Sequence, residues 1–155
     1  VVAVKLLVVG PTKEKYFKQS EEEYLKRLRK YCKLQYVVVN SSKNSSNKDE
    51  CLAQEQDSIL KNIAEGDYVL LLDEHGTQYS SRSFSKKLNE LLVNKSNLVF
   101  VIGGAFGFSD AISVRSDGKW SLSNLTFPHH MVRTVFLEQL YRGFTILNGE
   151  KYHND

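Results

Sequence analysis

The chain has 155 residues, a formal net charge of +3, 41% hydrophobic residues and 25% charged residues, the proportions of one globular domain spanning 1–155 with a core of its own. The apolar opening "VVAVKLLVVG" is interrupted by Lys5 and is too short for a bilayer span or a signal peptide, so a cytoplasmic protein with no membrane partner is expected. Cys32 and Cys51 show no CxxC spacing, which excludes a zinc ribbon and a dithiol redox motif and leaves two plain thiols.

Taken in chain order, "VVAVKLLVV" predicts a buried strand, and "KEKYFKQSEEEYLKRLRKY" an amphipathic helix with Phe17, Tyr24, Leu28 and Tyr31 on one side. From Lys13 to Lys33 there are eight cations against four anions. This local excess reads either as a solvated face with Glu/Lys pairs or as a stripe able to contact phosphates. "LQYVVVN" predicts a second strand and "SSKNSSNKDE" a polar loop. A helix from about Cys51 to Gly66 buries Leu52, Ile59, Leu60 and Ile63. "YVLLLD" is a third strand, and Ser80 or Ser81 caps a helix that points Phe84, Leu88 and Leu91 inward. "LVFVIGG" is a fourth strand, followed by a short helical piece and by "WSLSNLTF". The last helix runs from His129 to about Phe144 with Val132, Val135, Phe136 and Leu140 on its core face.

Strands apolar at every position, alternating with amphipathic helices, predict an α/β fold with a parallel sheet flanked by helices. Ligands of such sheets bind beyond the carboxyl ends of the strands, where "LLDEHG" and "IGGAFGFS" lie. Gly103, Gly104 and Gly107 leave no Cβ in the way, so the segment reads either as a tight turn or as a cradle for a flat or charged ligand. It matches neither GxGxxG after a first strand nor the GKS/GKT of a phosphate loop. A nucleotide-like ligand remains, a triphosphate does not.

"TFPHHMVRTVFLEQLYRGF" puts Pro128 before a helix, with His129, His130 and Arg133 in its first turns and Arg142 further on. Adjacent histidines cannot share a helix face, so no metal site is expected. His129 and Arg133, four apart, read as one face for an anionic or polar substrate or as ordinary helix-start residues. Tyr152 and His153 lie in a tail that is either a lid for a base or a loose end.

"LLDEHG", "FVIGGAFGFS", "SLSNLTFPHHMVRTVFLEQLYRGFTILNG" and the ending "YH", in this order and spacing, resemble the small bacterial methyltransferases that modify N3 of a pseudouridine in 23S ribosomal RNA. These are minimal members of the knotted SPOUT class, and the resemblance covers essentially the whole chain. It implies a C-terminal trefoil knot, a rare exception to unknotted folding, and S-adenosylmethionine as cofactor. Carried over by motif, Leu72, Gly103 and Gly104 meet the cofactor through their backbones, while Leu122, Ser123, Asn124, Leu125, Thr126 and Phe127 wrap it. The catalytic candidates are His129, Arg133, Arg142, Tyr152 and His153, with the proton acceptor unassigned. The resemblance implies a polar or acidic residue before the third glycine in many relatives, as in GGPEG, where this chain has Phe106.

The resemblance further implies a homodimer in which the tail of one chain completes its partner's site. Its substrate is 23S rRNA in the assembled ribosome, with no DNA partner. Apolar Phe136, Leu140, Tyr141 and Phe144 on the last helix fit a dimer face. Two alternatives stay open: a SPOUT enzyme acting on tRNA or another rRNA site, and a non-catalytic ribosome-associated RNA-binding protein.

Overall fold

The computed structural model describes residues 2–41 and 47–155. Among these residues five strands form one sheet in the order β2-β1-β4-β3-β5, and all four strand pairings are parallel. β1 (Val2–Val9) lies between β2 (Cys32–Val39) and β4 (Leu98–Ile102), while β3 (Tyr68–Gln78) lies between β4 and β5 (Gly118–Ser121). The helices are α1 (Lys15–Leu28), α2 (Lys48–Leu60), α3 (Ser81–Asn94), α4 (Asp110–Arg115) and α5 (His129–Leu147).

Both faces of the sheet are covered, and the strands show it residue by residue. Val4, Leu6, Val8, Leu70, Leu98, Phe100 and Ile102 pack with Leu28 of α1, Phe84, Leu88 and Leu91 of α3, and Phe136, Leu137, Leu140 and Phe144 of α5. Their neighbours Leu7, Val9, Val69, Leu71, Val99 and Val101 pack on the other face with Ile59 of α2 and Ile112 of α4. Strand side chains alternate between faces, so a strand buried on both reads as an unbroken apolar run.

Several boundaries differ from the sequence expectation. α1 is shorter at both ends than the helical pattern of residues 13–31. α2 begins at Lys48, ahead of Cys51, because the Asn47 side chain accepts from the amides of Asp49 and Glu50 and so caps the first turn. The expected loop of residues 41–50 therefore ends in helix, and its residues 42–46 lie outside the described ones. β3 runs past Asp73 to Gln78 because a bulge between Leu72 and Thr77 lets its end pair with Trp120 and Ser121. A Cβ on Gly76 would stand 2.6 Å from the Lys119 carbonyl carbon, so that bulge needs glycine. "WSLSNLTF" begins in β5, and α5 continues beyond Phe144 to Leu147.

On α5 the core face carries Leu137 and Arg133 beside Phe136 and Leu140, while Val132 and Val135 are half-buried. Phe136, Leu140 and Phe144 are buried within the protomer against the sheet and α3. Their apolar surface is thus used internally, which corrects the expectation that it forms a dimer face. Cys32 is buried, and desolvation pushes its thiol up to about 11, in keeping with an inert thiol.

Candidate functional site

Beyond the carboxyl ends of β3 and β4 lies a cavity of about 770 Å³, within the range of sites for small organic ligands. It is lined by Leu72, at the start of the β3 bulge, and Ile102, the last residue of β4, which pair directly in the sheet. Residues 103–108 form one wall, and Leu122, Ser123, Leu125, Thr126 and Phe127 form the opposite one. His129 and Val132 of α5 close the back, with Lys48 of α2 at the rim.

The glycine segment is a tight turn that lines the cavity. Gly107 sits at φ +76° and donates its amide to the Gly104 carbonyl at 3.2 Å, which reverses the chain over four residues. A Cβ on Gly103 would stand 2.8 Å from the Gly107 carbonyl oxygen, so no other residue fits there without moving backbone. At Gly104 an added Cβ would meet the Glu55 carboxylate at 3.1 Å, a side chain that can give. Phe106 lines the cavity and is 45% exposed, an apolar side chain at its surface.

The opposite wall is tied across the cavity. Thr126 Oγ1 donates to Glu74 Oε2 at 2.6 Å, linking residues from the ends of β3 and of the segment after β5. Ser121 Oγ donates to the Ser123 carbonyl and Ser123 Oγ accepts from the Leu125 amide, which fixes the bend. Asn124 is exposed and does not line the cavity.

The five candidate catalytic residues separate into three places. His129 lines the cavity, its ring edge-on to His130 with centroids 4.1 Å apart. Burial, together with the neighbouring His130 ring and Arg133 guanidinium, holds its imidazole below the ordinary value of 6.5 and hence neutral at pH 7. Unfolded His129 takes up its proton near the ordinary value and folded His129 later. Its stabilising contribution is therefore complete above that value and lost as pH falls through the lowered one. Urea midpoints of wild type and His129→Gln should diverge less at pH 5 than at pH 7.5; equal losses in both proteins would show that His129 carries none of the acid sensitivity.

Arg133 points elsewhere. It is fully buried, donating from Nη2 to the Val9 carbonyl at 2.6 Å and from Nη1 to Thr12 Oγ1 at 3.0 Å. Thr12 in turn donates to Glu21, which also accepts from Tyr36. This polar chain fastens α1 and α5 to the end of β1, and Arg133 does not reach the cavity lining.

Arg142, Tyr152 and His153 form a third group around Glu138, a residue the sequence reading passed over. Arg142 donates to Glu138 from Nε at 3.3 Å and from Nη2 at 2.7 Å, and Tyr152 OH donates to the same carboxylate at 2.7 Å. Arg142 Nη1 lies 3.1 Å from His153 Nδ1, and the guanidinium sits over the Tyr152 ring at 4.8 Å. Glu138 raises the affinity of Arg142 for its proton, and burial with the Glu138 contact raises that of the Tyr152 phenol, so the first stays cationic and the second a donor. The E-x-x-x-R spacing of residues 138 and 142 was the available signal for this pair. None of these side chains lines the cavity of its own protomer.

Among the described residues no group of three or more His, Cys, Asp or Glu side chains is arranged to hold a metal, and no helix is long and apolar enough to cross a membrane.

Comparison with known proteins agrees across the chain. A family model described as predicted SPOUT methyltransferase matches residues 2–153. The ribosomal RNA large subunit methyltransferase H of Clostridium tetani is 45% identical over 156 aligned positions, covering 97% of this chain and 98% of its own length. The proteins of the same name from Caldicellulosiruptor saccharolyticus and Enterococcus faecalis are 43% and 42% identical, at 97% coverage of this chain and 99% and 98% of their own. The solved structure of a methylase family protein from Haemophilus influenzae Rd KW20 superposes with a TM-score of 0.54 at 12% identity, over 96% of this chain and 67% of that one. That last likeness concerns the fold alone. Matched along nearly its whole length by the family model and by relatives above 40% identity, the chain belongs to the SPOUT methyltransferases, alongside the ribosomal RNA large subunit methyltransferases H.

Proposed function

We propose that the protein is a cytoplasmic methyltransferase that uses S-adenosylmethionine to methylate N3 of a pseudouridine in 23S rRNA of the assembled ribosome. The observation that carries this reading is the cavity next to β3 and β4, lined by residues 103–107 together with Leu122, Ser123, Leu125, Thr126 and Phe127. A bent cofactor with an adenine, a carboxylate and a sulfonium fits such a site: Leu72 and Ile102 offer an apolar floor, Gly103 and Gly104 allow close approach, and Thr126 and Lys48 supply polar contacts. The same segments are those that a trefoil threading of residues 120–128 would bring together, and that threading is part of the proposal.

The bound cofactor supplies a methyl group already activated by its positive sulfur. The protein's task is alignment and exclusion of water, which can account for up to about 7–11 kcal/mol of a barrier. The imide nitrogen must lose its proton before it forms the new N–CH3 bond. His129, neutral and on the cavity wall, is placed to accept it, and an arginine beside the imide oxygens steadies the anion. Arg142 has that charge but not that place in its own protomer. A homodimer in which the tail group of one chain faces the partner's cavity resolves the separation. Leu125, 71% exposed at the cavity rim, and Met131, 38% exposed on the first turns of α5, offer apolar surface to a second copy.

The test supplies ribosomes lacking their native modification with tritiated cofactor and the purified protein, followed by nuclease digestion and mass spectrometry. Label on N3 of one 23S pseudouridine is expected. Label in tRNA or at another rRNA base would replace the substrate, and cofactor binding without any RNA label would favour a ribosome-associated protein that has lost transfer.

A further inference from the structure

The tail of residues 148–155 does not hang free but is held in a defined arrangement that reaches as far as α3. After Gly149, at φ +66°, the Glu150 amide donates to the Thr145 carbonyl and the Glu150 carboxylate accepts from Tyr31 OH at 2.6 Å. Tyr152 packs edge-on to Tyr141 with centroids 4.7 Å apart. Beyond it, Asp155 meets Arg82 in the first turn of α3, with Nε 2.9 and 3.0 Å from the two carboxylate oxygens and Nη2 on one of them. The same carboxylate lies 3.2 Å from His153 Nε2.

These contacts decide the protonation pattern of His153. An arginine has five N–H donors and no acceptor, so the nitrogen facing Arg142 Nη1 at 3.1 Å must be an acceptor, which places the lone pair on Nδ1. In the neutral ring the proton is then on Nε2, directed at the Asp155 carboxylate. The carboxylate accepts the hydrogen bond from that N–H and keeps its charge, because Arg82 holds Asp155 below its ordinary range. Arg142 has three of its five donors engaged, Nε and one N–H of Nη2 on Glu138 and one of Nη1 on His153. The other two have no partner among the described residues.

We infer that Asp155 and Arg82 are positioning residues for methyl transfer: they fix His153 as the Nε2–H tautomer, whose Nδ1 then holds the Arg142 guanidinium with two donors facing outward. The logic is that of a carboxylate selecting the tautomer of a histidine at a reaction site. This inference rests on the reading of Arg142 as the cation that meets the substrate. The Arg82–Asp155 pair is exposed, at 61% and 64% of the side chains, and exposed pairs add little to global stability. Its removal therefore leaves the fold intact and reports on position.

The test uses the full-length protein labelled with ¹⁵N-histidine, whose four histidines are assigned with the help of His153→Gln. Wild type should show His153 as the Nε2–H tautomer, and Asp155→Ala should turn it into a mixture. In the same variant kcat should fall about tenfold, far less than for a buried tautomer-selecting carboxylate, with KM for S-adenosylmethionine unchanged. Arg82→Ala should lower kcat less, and Arg82→Lys should restore part of the loss. A wild-type His153 protonated on Nδ1, or unchanged kcat in both alanine variants, would overturn the inference. If Arg142→Ala turned over normally, the reading of the site would fail instead, while the tautomer spectrum would still decide whether the clasp exists.

Discussion

Gly103→Ala is expected to weaken S-adenosylmethionine binding by at least about tenfold, and with it to remove methyl transfer, while the protein stays folded. The added Cβ would lie 2.8 Å from the Gly107 carbonyl oxygen and 3.2 Å from the Phe108 ring. A main-chain oxygen cannot swing aside as a side chain can, so the turn of residues 104–107 must shift, at a cost of about 1–3 kcal/mol for local overpacking. The shift falls on the cavity wall, because residues 103–108 all line it. Gly104→Ala is the control. Its Cβ would meet the Glu55 carboxylate and Val9 Cγ1 at 3.1–3.4 Å, a side-chain contact that relaxes by rotation, so its effect should be several-fold smaller. Isothermal titration with the cofactor separates the two, and equal affinities for both variants and wild type would show that the ligand does not sit against this turn.

The sheet was legible in the sequence where burial is complete. β1, β4 and the first five residues of β3 are apolar at nearly every position because both faces are covered there, and that leaves a contiguous signature. β5 was not, since Gly118–Ser121 is four residues long with Lys119 and Ser121 in it and is held by pairing with β3 rather than by its own pattern. The extension of β3 to Gln78 has the same origin: its polar end pairs only because the bulge at residues 72–77 restores register with Trp120. Local propensity has no access to such long-range pairing.

The cavity was legible because glycines after an apolar strand are visible in sequence and the strand-end rule says where ligands go. The roles of α5 residues were harder. The four-residue spacing that groups His129 with Arg133 leaves about 40° between them around the helix, enough to turn the first toward the cavity and the second toward the Val9 carbonyl. The Glu138 hub escaped because an acid four residues before an arginine is common on solvated helices, and what sets this one apart is Tyr152 donating to it from fourteen residues away. Ligand identity came from the family resemblance, since no arrangement of glycines specifies a sulfonium.

Mixing two inactive variants should restore activity. Gly103→Ala damages the cavity and leaves the tail group intact; Arg142→Ala removes the tail cation and leaves the cavity intact, since Arg142 does not line it. In a symmetric dimer whose sites each combine one chain's cavity with the partner's tail, random exchange makes half of the molecules heterodimers. Each heterodimer then holds one site with both parts wild type, so about one quarter of wild-type turnover should return after co-refolding or co-expression. If cavity and tail of the same chain worked together, every site in the mixture would carry one lesion and nothing would return. The structure argues for the first outcome. Within one protomer Arg142 is turned to Glu138 and His153, and the whole group stands apart from the His129 wall. Folding the tail onto its own cavity would require breaking the Tyr152–Glu138, Arg142–His153 and Arg82–Asp155 contacts together, whereas the proposed dimer would bring a second chain's tail to the cavity with all three kept.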